Sequence, residues 1–562
     1  MISIDRLPLP LLAAVLFISA LCLSTAQAIE PPPILYWDIN ADGPGADDGG
    51  FASGFWGTDP NWSPDPDGLV STGPWVPGGA AVFSAGLDPF ADALVIINGT
   101  QTANSIIVDD GAVHFRGGTA DTGTGTVVVN AGATLEIDGT QRLNTSGGKV
   151  VLNGGTFLNS NFGQAGAFFG NAAGLKGLEI NGTGFIGYDD GVGFPDKISI
   201  YSGVISGTGG TPTNGGAGTL IKIGPDRLGV AASDQSGVNS QDQFSFAKLL
   251  VQQGSYRGRL GIVNGLQQLS ETVFGAVPLA VLPDAITLDG GGIGVNMPTT
   301  LHPNRGITIA FGGGYFDHGN GANLTIPGPL SGHGFLSIGD PTSEQLTNVT
   351  FTLSNPNNVN TFSGALVGVR GVLQLNSSLK VADLNDGLTN NATISIAAGQ
   401  TLTVGGAVGT WSTDISGAGN FTKTGGGMQV LTGLPTYTGD TRIQGGILSI
   451  ANAYLANAAD VYLSSGSTFN LTFAGTDAIR SLYINNVLQI PGTWGAPGSG
   501  AQFTTVLLSG SGRLGPTIGA VPEPLTILLV ACAALVPMFR RRRPHPASGG
   551  VHPRRPLANW SA

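Results

Sequence analysis

Two pairs of adjacent acids, Asp109-Asp110 and Asp189-Asp190, come nearest to catalytic chemistry in this 562-residue chain. Glycoside hydrolysis needs two carboxyls about 5–10 Å apart, one to protonate the leaving oxygen and one to attack or activate water. Gly332-His333-Gly334 adds an imidazole in a tight turn. The setting argues the other way. Each acid pair precedes a glycine, where Asp commonly turns the chain. The stretch Asp38-Ile39-Asn40-Ala41-Asp42-Gly43 fits the first half of a calcium loop. Its twelfth position is Gly49, where a bidentate glutamate is needed, and Asp47 and Asp48 are out of register. The six histidines (His114, His302, His318, His333, His545 and His552) form no metal-ligand spacing. Asp317-His318, within FGGGYFDHGNG, reads as a loop. Nucleophile-elbow, phosphate-loop and dinucleotide fingerprints are missing. Tyr315, Phe316 and Trp494 could stack on sugars, but such rings more often pack in cores or corners. No catalytic residue, metal ligand or cofactor is expected.

The elements that would position such groups are short strands. Glycine supplies 91 residues, far above the usual ~7%, without the period of collagen. Apolar residues make up 41% and charged residues 11%, which favours folding over disorder. Runs rich in Val, Ile, Leu and Thr are cut by Gly, Asn and Asp. TVVVNAGATLEIDG (126–139), KVVLNGGTFLN (149–159), GLEINGTGFIG (177–187), AITLDGGGIGV (285–295) and ATISIAAGQTLTVGG (392–406) share one design. In each, a residue group tolerant of positive φ separates two apolar runs. Hairpins use this chemistry, and so do the corners of stacked solenoids. Asn130, Asn153 and Asn181 recur at solenoid-like separations, and no amphipathic helix intervenes. The preferred fold is all-β, a right-handed parallel β-helix, with a β-sandwich array as the alternative.

The net charge is −12, and the acidity is concentrated in the body because the tail carries six arginines. An acidic body repels polyphosphate, so no nucleic-acid partner is expected. Cys22 and Cys532, the two cysteines, both lie in apolar segments near the ends, leaving no disulfide framework between them. Residues 1–28 form an export signal: Arg6, an apolar stretch from Leu9 to Leu23, and Ala26-Gln27-Ala28. Cleavage after Ala28 would leave Ile29 first; an uncleaved membrane anchor is the alternative.

A longer unit recurs from Gly216, Gly332 and Gly417. The third copy, GAGNFTKTGGGMQVLTGLPTYTGDTRIQGGILSI (417–450), resembles the autotransporter-associated β-strand repeat. Its parts are the Gly417-to-Gly427 run, Thr432-Gly433, Tyr437-Thr438-Gly439-Asp440-Thr441 and Gly445-Gly446-Ile447-Leu448. The first two copies are degraded. Asp340-Pro341 replaces a glycine turn, and Phe246 to Leu250 stands where TGxT is expected. Residues 36–86, through Trp37, Trp56, Trp62 and Trp75, look like the opening of large secreted proteins bearing such repeats. Residues 481–515 look like their closing segment. The resemblance implies an exported, surface-associated β-helix and no particular activity. The expected organisation is a Trp-rich cap region at 29–90 and a repeat region at 91–515. Nothing after Gly515 alternates as a membrane barrel would, so the repeat is expected without a translocating barrel. Some β-helical pectin hydrolases carry an Asp-Asp pair and a Gly-His-Gly. Here those elements are over 140 residues apart, and the Asn-Thr-Asp and Arg-Ile-Lys elements are missing.

The chain closes with VPEPLTILLVACAALVPMFRRRR (521–543). Residues 525–539, as a helix, span about 22 Å of a ~30 Å hydrocarbon core. Pro522 and Pro524 prevent an earlier helix start, and Pro537 would kink its end. Arg540, Arg541, Arg542 and Arg543 are the membrane stop, held on the cytoplasmic side. The expected fold thus ends in a single transmembrane helix. Val521-Pro522-Glu523-Pro524, a short span and an arginine cluster resemble the PEP-CTERM sorting signal, here 516–543. In that family an exosortase, a membrane transpeptidase, acts near Pro-Glu-Pro and passes the protein to the surface or matrix, often beside exopolysaccharide. The Pro-rich basic tail at 544–562 departs from that pattern, and a plain uncut anchor is the alternative. The resulting expectation is a structural or adhesive surface protein with an exosortase-like partner and exopolysaccharide or other surface glycans. The alternative is a β-helical carbohydrate-active enzyme or carbohydrate-binding protein.

Overall fold

The computed structural model describes residues 31–518, apart from breaks at 41–42, 47–50, 85–91, 139–142, 146–147, 161–167, 170–176, 189–197, 203, 232–243, 260, 264–265, 318–321, 342–348 and 407. Ala26, Ala28, the Val521–Pro524 motif, the apolar span and the four arginines lie outside the described residues. No described helix is long and apolar enough to cross a membrane.

TVVVNAGATLEIDG shows how the chain builds its fold. Val127–Asn130 and Thr134–Ile137 are strands, but they do not pair with each other. They belong to two different sheets, and the turn at Gly132 (φ +87°) is a corner. Each strand instead pairs in parallel with the equivalent strand of the next coil. Val127 to Asn130 align with Val150 to Asn153, and Thr134 to Ile137 align with Thr156 to Asn159. A third sheet takes the last strand of many coils, such as Arg227–Ala231 above Ile198–Ser202. The hairpin and sandwich alternatives are thereby excluded for these segments. The architecture is an all-β solenoid of stacked parallel rungs.

Alternation decides which residues enter the interior. Val127, Val129, Leu135 and Ile137 are buried, while Val128 and Glu136 are partly exposed. Stacking then aligns like on like, so Val129 meets Leu152 and Leu135 meets Phe157. Burying each such side chain contributes about 1.5–3 kcal/mol, repeated at every rung. The corner asparagines stack as well. Asn153 Nδ2 donates to Asn130 Oδ1 at 3.1 Å, and Asn181 Nδ2 donates to Asn153 Oδ1 at 2.9 Å.

Both ends are closed by departures from parallel stacking. At the first rungs, Trp62–Ser63 runs antiparallel to Ile34–Trp37. Trp37 packs edge-on to Trp62 at 5.1 Å, and Trp56 to Trp75 at 5.2 Å. Phe83 and Phe115 join them. These rings fill the open end of the core, which an uncapped solenoid would expose. The indole of Trp37 donates to Ala52 O at 2.7 Å, satisfying its polar atom. At the far end, Asn485 and Asn486 both adopt positive φ (51° and 64°), and Val487–Leu488 folds back antiparallel. Two positive-φ residues are the requirement of a type I′ hairpin turn.

Candidate functional site

The repeat unit positions two buried lysines. Asn420–Lys423 and Met428–Leu431 lie in two sheets of one rung; Thr441–Ile443 and Gly446–Ile450 lie in the same sheets of the next. The 417–450 unit therefore contributes strands to two stacked coils. Lys423 is fully buried, and its ammonium donates to the carbonyls of Gly405 at 2.7 Å, Thr424 and Gly425. Lys222 stands six residues after Gly216, as Lys423 stands six after Gly417. It is equally buried, and donates to Ile223 O and Gly224 O at 2.7 Å and to Gln253 O at 3.1 Å. In the middle copy Ile338 takes this place. Along the chain each lysine is one residue in a glycine-punctuated run; in the fold both fasten a corner to its neighbour.

The opening glycines have a steric cause. Gly332 and Gly417 adopt φ of +101° and +94°. A Cβ there would lie 2.1 and 2.2 Å from the carbonyl oxygens of Ile309 and Ile396 in the adjacent rung. Gly332-His333-Gly334 is thus a close-packed corner with His333 exposed.

The other sequence-predicted groups take structural places. Asp109 accepts from Asn130 Nδ2 at 2.5 Å, and Asp110 accepts from the Gly111 amide at 2.7 Å, so this pair shapes a corner. Asp189 and Asp190 lie outside the described residues. Asp38 is buried and accepts from the Asn40 amide at 3.0 Å; Asp42, Asp47 and Asp48 lie outside the described residues. Among the described residues no group of three ligating side chains converges. His114 pairs with Glu136 of the next rung, which raises its pKa, and His302 Nδ1 accepts from the Asn304 amide. Phe316 and Trp494 are buried, the latter 5.0 Å from Phe503.

One expectation is corrected. Asp317 does not lie in a loop: it ends the strand Gly314–Asp317 and is fully buried. The reason is its register. Asp317 aligns with Gly294, which aligns with Arg257, and Gly294 has no side chain to separate them. Arg257 Nη2 donates to Asp317 Oδ1 at 2.5 Å and Arg257 Nε to Oδ2, while Ser255 Oγ donates to Oδ2 at 2.6 Å. Arg227 Nη2 reaches Asp340 Oδ2 at 2.9 Å and its Nε stands 3.9 Å from Asp317. Burial alone would raise the Asp317 pKa. Arg257 and Arg227 outweigh it and hold the group at about 2.

Beside this network is a cavity of about 470 Å³ lined by Pro225, Gln253, Gly290, Tyr315, Phe335 and Pro341, with Gly254 and Gly314. It follows the corner between the second and third sheets. The Tyr315 ring lies against Gly292, and the Phe335 ring against Gly313; a Cβ on either glycine would come within 2.4 Å of the ring. Burial, then Asp340 and Asp317, push the Tyr315 hydroxyl well above its usual range, so it remains a protonated donor.

A second buried acid gives a pH prediction. Asp477 accepts from the Leu455 amide at 3.0 Å, and burial raises its pKa to about 6. The folded state therefore holds this proton between about pH 4 and 6, where the unfolded chain has released it. Its contribution to stability falls as pH rises through that window. Asp477→Asn keeps the acceptor and removes the charge. Its melting midpoint is expected to exceed wild type by a few degrees at pH 7.5, roughly 2–4 °C per kcal/mol. The difference should shrink at pH 4.5 in calorimetry.

Residues 421–450 match the Passenger-associated-transport-repeat family. The chain thus carries an autotransporter-type repeat, folded as solenoid rungs. The Adhesin BmaC autotransporter of Brucella suis biovar 1 (strain 1330) is 24% identical over 528 residues, covering 77% of this chain and 15% of that protein. The Extracellular serine protease of Serratia marcescens is 43% identical over 98 residues, 17% of this chain and 8% of that protein. The chain spans only a small part of the length of these curated relatives. No solved structure matches significantly.

Proposed function

We propose that this chain is an exported, non-enzymatic structural or adhesive component of the cell surface or its matrix, built on a right-handed coil. The observation that carries this reading is the autotransporter-type repeat at 421–450, integrated into a long capped solenoid. The similarity to an adhesin along 77% of the chain supports it. The groups that resembled catalytic pairs and lie within the described residues are engaged in corners.

The ends supply the route. The export signal is cut after Ala28. Val521, Pro522, Glu523 and Pro524 are recognised by an exosortase-like transpeptidase while residues 525–539 hold the protein in the membrane and Arg540 to Arg543 stay inside. Surface glycans are the partners once it is released.

Mass analysis of surface-released protein tests the route. The expected mature chain starts at Ile29 and ends close to Pro524. Peptides from Pro544 to Ala562 on released material would overturn the processing. Protease treatment of intact cells tests the location, and a chain fully protected from protease would overturn surface display.

A further inference from the structure

The cavity at the central corner is a site with no assigned role. We propose that it is a binding trough for a neutral glycan chain lying parallel to the solenoid axis. This deepens the surface-adhesion reading and rests on it.

The shape comes from stacked corners. Pro225 precedes the strand Arg227–Ala231, Gln253 precedes Ser255–Arg259, Gly290 precedes Gly292–Val295, Gly314 opens Gly314–Asp317, and Phe335 precedes Leu336–Ile338. Five successive rungs at ~4.8 Å make a trough roughly 19 Å long. A volume of about 470 Å³ over that length leaves room for one extended chain. It also falls within the usual range of ligand pockets.

The chemistry selects the occupant. None of the lining residues is charged. The nearby charges of Arg227, Arg257, Asp317 and Asp340 engage one another in the buried network. An anionic or cationic polymer therefore gains nothing here. The main-chain groups along the floor are bonded to one another: Gly290 N to Gly313 O at 2.7 Å, Gly292 N to Gly254 O at 2.9 Å, and Gly314 N to Phe335 O at 2.9 Å. No free strand edge is offered at these points, so a peptide cannot add as a strand. What remains is suited to sugars. Phe335 is 46% exposed, and its π cloud attracts polarised C–H bonds of a pyranose. Gln253, exposed at the rim, offers an amide donor and acceptor to hydroxyls. Tyr315, beside the buried carboxylates, supplies part of the aromatic wall.

Purified full-length secreted protein should be applied to an array of neutral, anionic and proline-rich peptide probes, followed by calorimetry with neutral hexasaccharides such as cellohexaose and xylohexaose. Retention on neutral glycans is expected, falling at least about tenfold in Phe335→Ala and in Gln253→Trp, which fills the trough from an exposed position. Unchanged melting midpoints establish that both variants fold. Retention of none of the neutral glycans, retention of peptide or anionic probes alone, or equal glycan binding by folded variants overturns the proposal. Surface display is read separately by protease treatment of cells, so an exposed protein that binds no glycan rejects the trough and leaves the surface reading standing.

Discussion

Replacing Asp317 with alanine is expected to destabilise the central rungs by about 3–5 kcal/mol, the usual cost of leaving a buried cation without its partner. Asp317 sits at the meeting point of Arg257, Ser255 and Arg227, all buried. Removing the carboxylate leaves guanidinium groups that the surroundings cannot hydrate. In a solenoid, each rung depends chiefly on its neighbours, so the loss should appear as faster amide exchange around 227–340 before it appears in the end caps. The double replacement Arg257→Met with Asp317→Leu removes both charges and should recover much of the loss, because the desolvation penalty goes with the pair. Equal destabilisation by the single and double variants would show that shape, and not charge, holds this site. Asp317 is held down at about 2, so its contribution is complete above the ordinary carboxylate range, falls progressively as pH drops from there, and is gone below about 2. Wild type should keep protected central rungs at pH 3, where Asp317→Ala has already lost them.

The second large effect is expected at the repeat lysines. Lys423→Met keeps the apolar stem and deletes an ammonium bound to three carbonyls. The expected cost is about 2–4 kcal/mol, one to two charge-assisted hydrogen bonds. Lys423→Arg should not rescue it, since a rigid planar fork does not fit a pocket shaped for a compact ammonium. Lys222→Met should cost a similar amount, because Lys222 occupies the same position in its own unit. Denaturant unfolding followed by exchange at the flanking rungs measures both. A neutral Lys222→Met beside a destabilising Lys423→Met would show that the two units are alike in sequence and different in construction.

Much of the fold could be read from residue pattern. Val127, Val129, Leu135 and Ile137 alternate, and alternation states which side faces a core. The Asn-Gly groups stated where the chain bends. What they left open was the partner of each strand, since a positive-φ turn serves a hairpin and a corner equally well. Pairing across coils resolved it, through contacts between residues about 20–40 positions apart such as Val127 with Val150 and Leu249 with Ile286. The candidate site was less legible. Tyr315 stands out along the chain as an aromatic residue, but nothing local links it to Pro225 or Phe335. The glycines around Asp317 read as a loop, and its partner Arg257 lies 60 positions away.

The amino-acid sequence by itself determined a β-rich, corner-punctuated chain, its apolar face and the repeat within 417–450. Those are properties of neighbours along the chain: alternation, φ tolerance, spacing and hydropathy. Tertiary structure alone decided that the corners stack, that Lys222 and Lys423 do the same work, that Arg257 meets Asp317 across Gly294, and that five corners form one trough. Each depends on the register between coils, which is set by the fit of whole interior columns and by the lengths of the intervening loops.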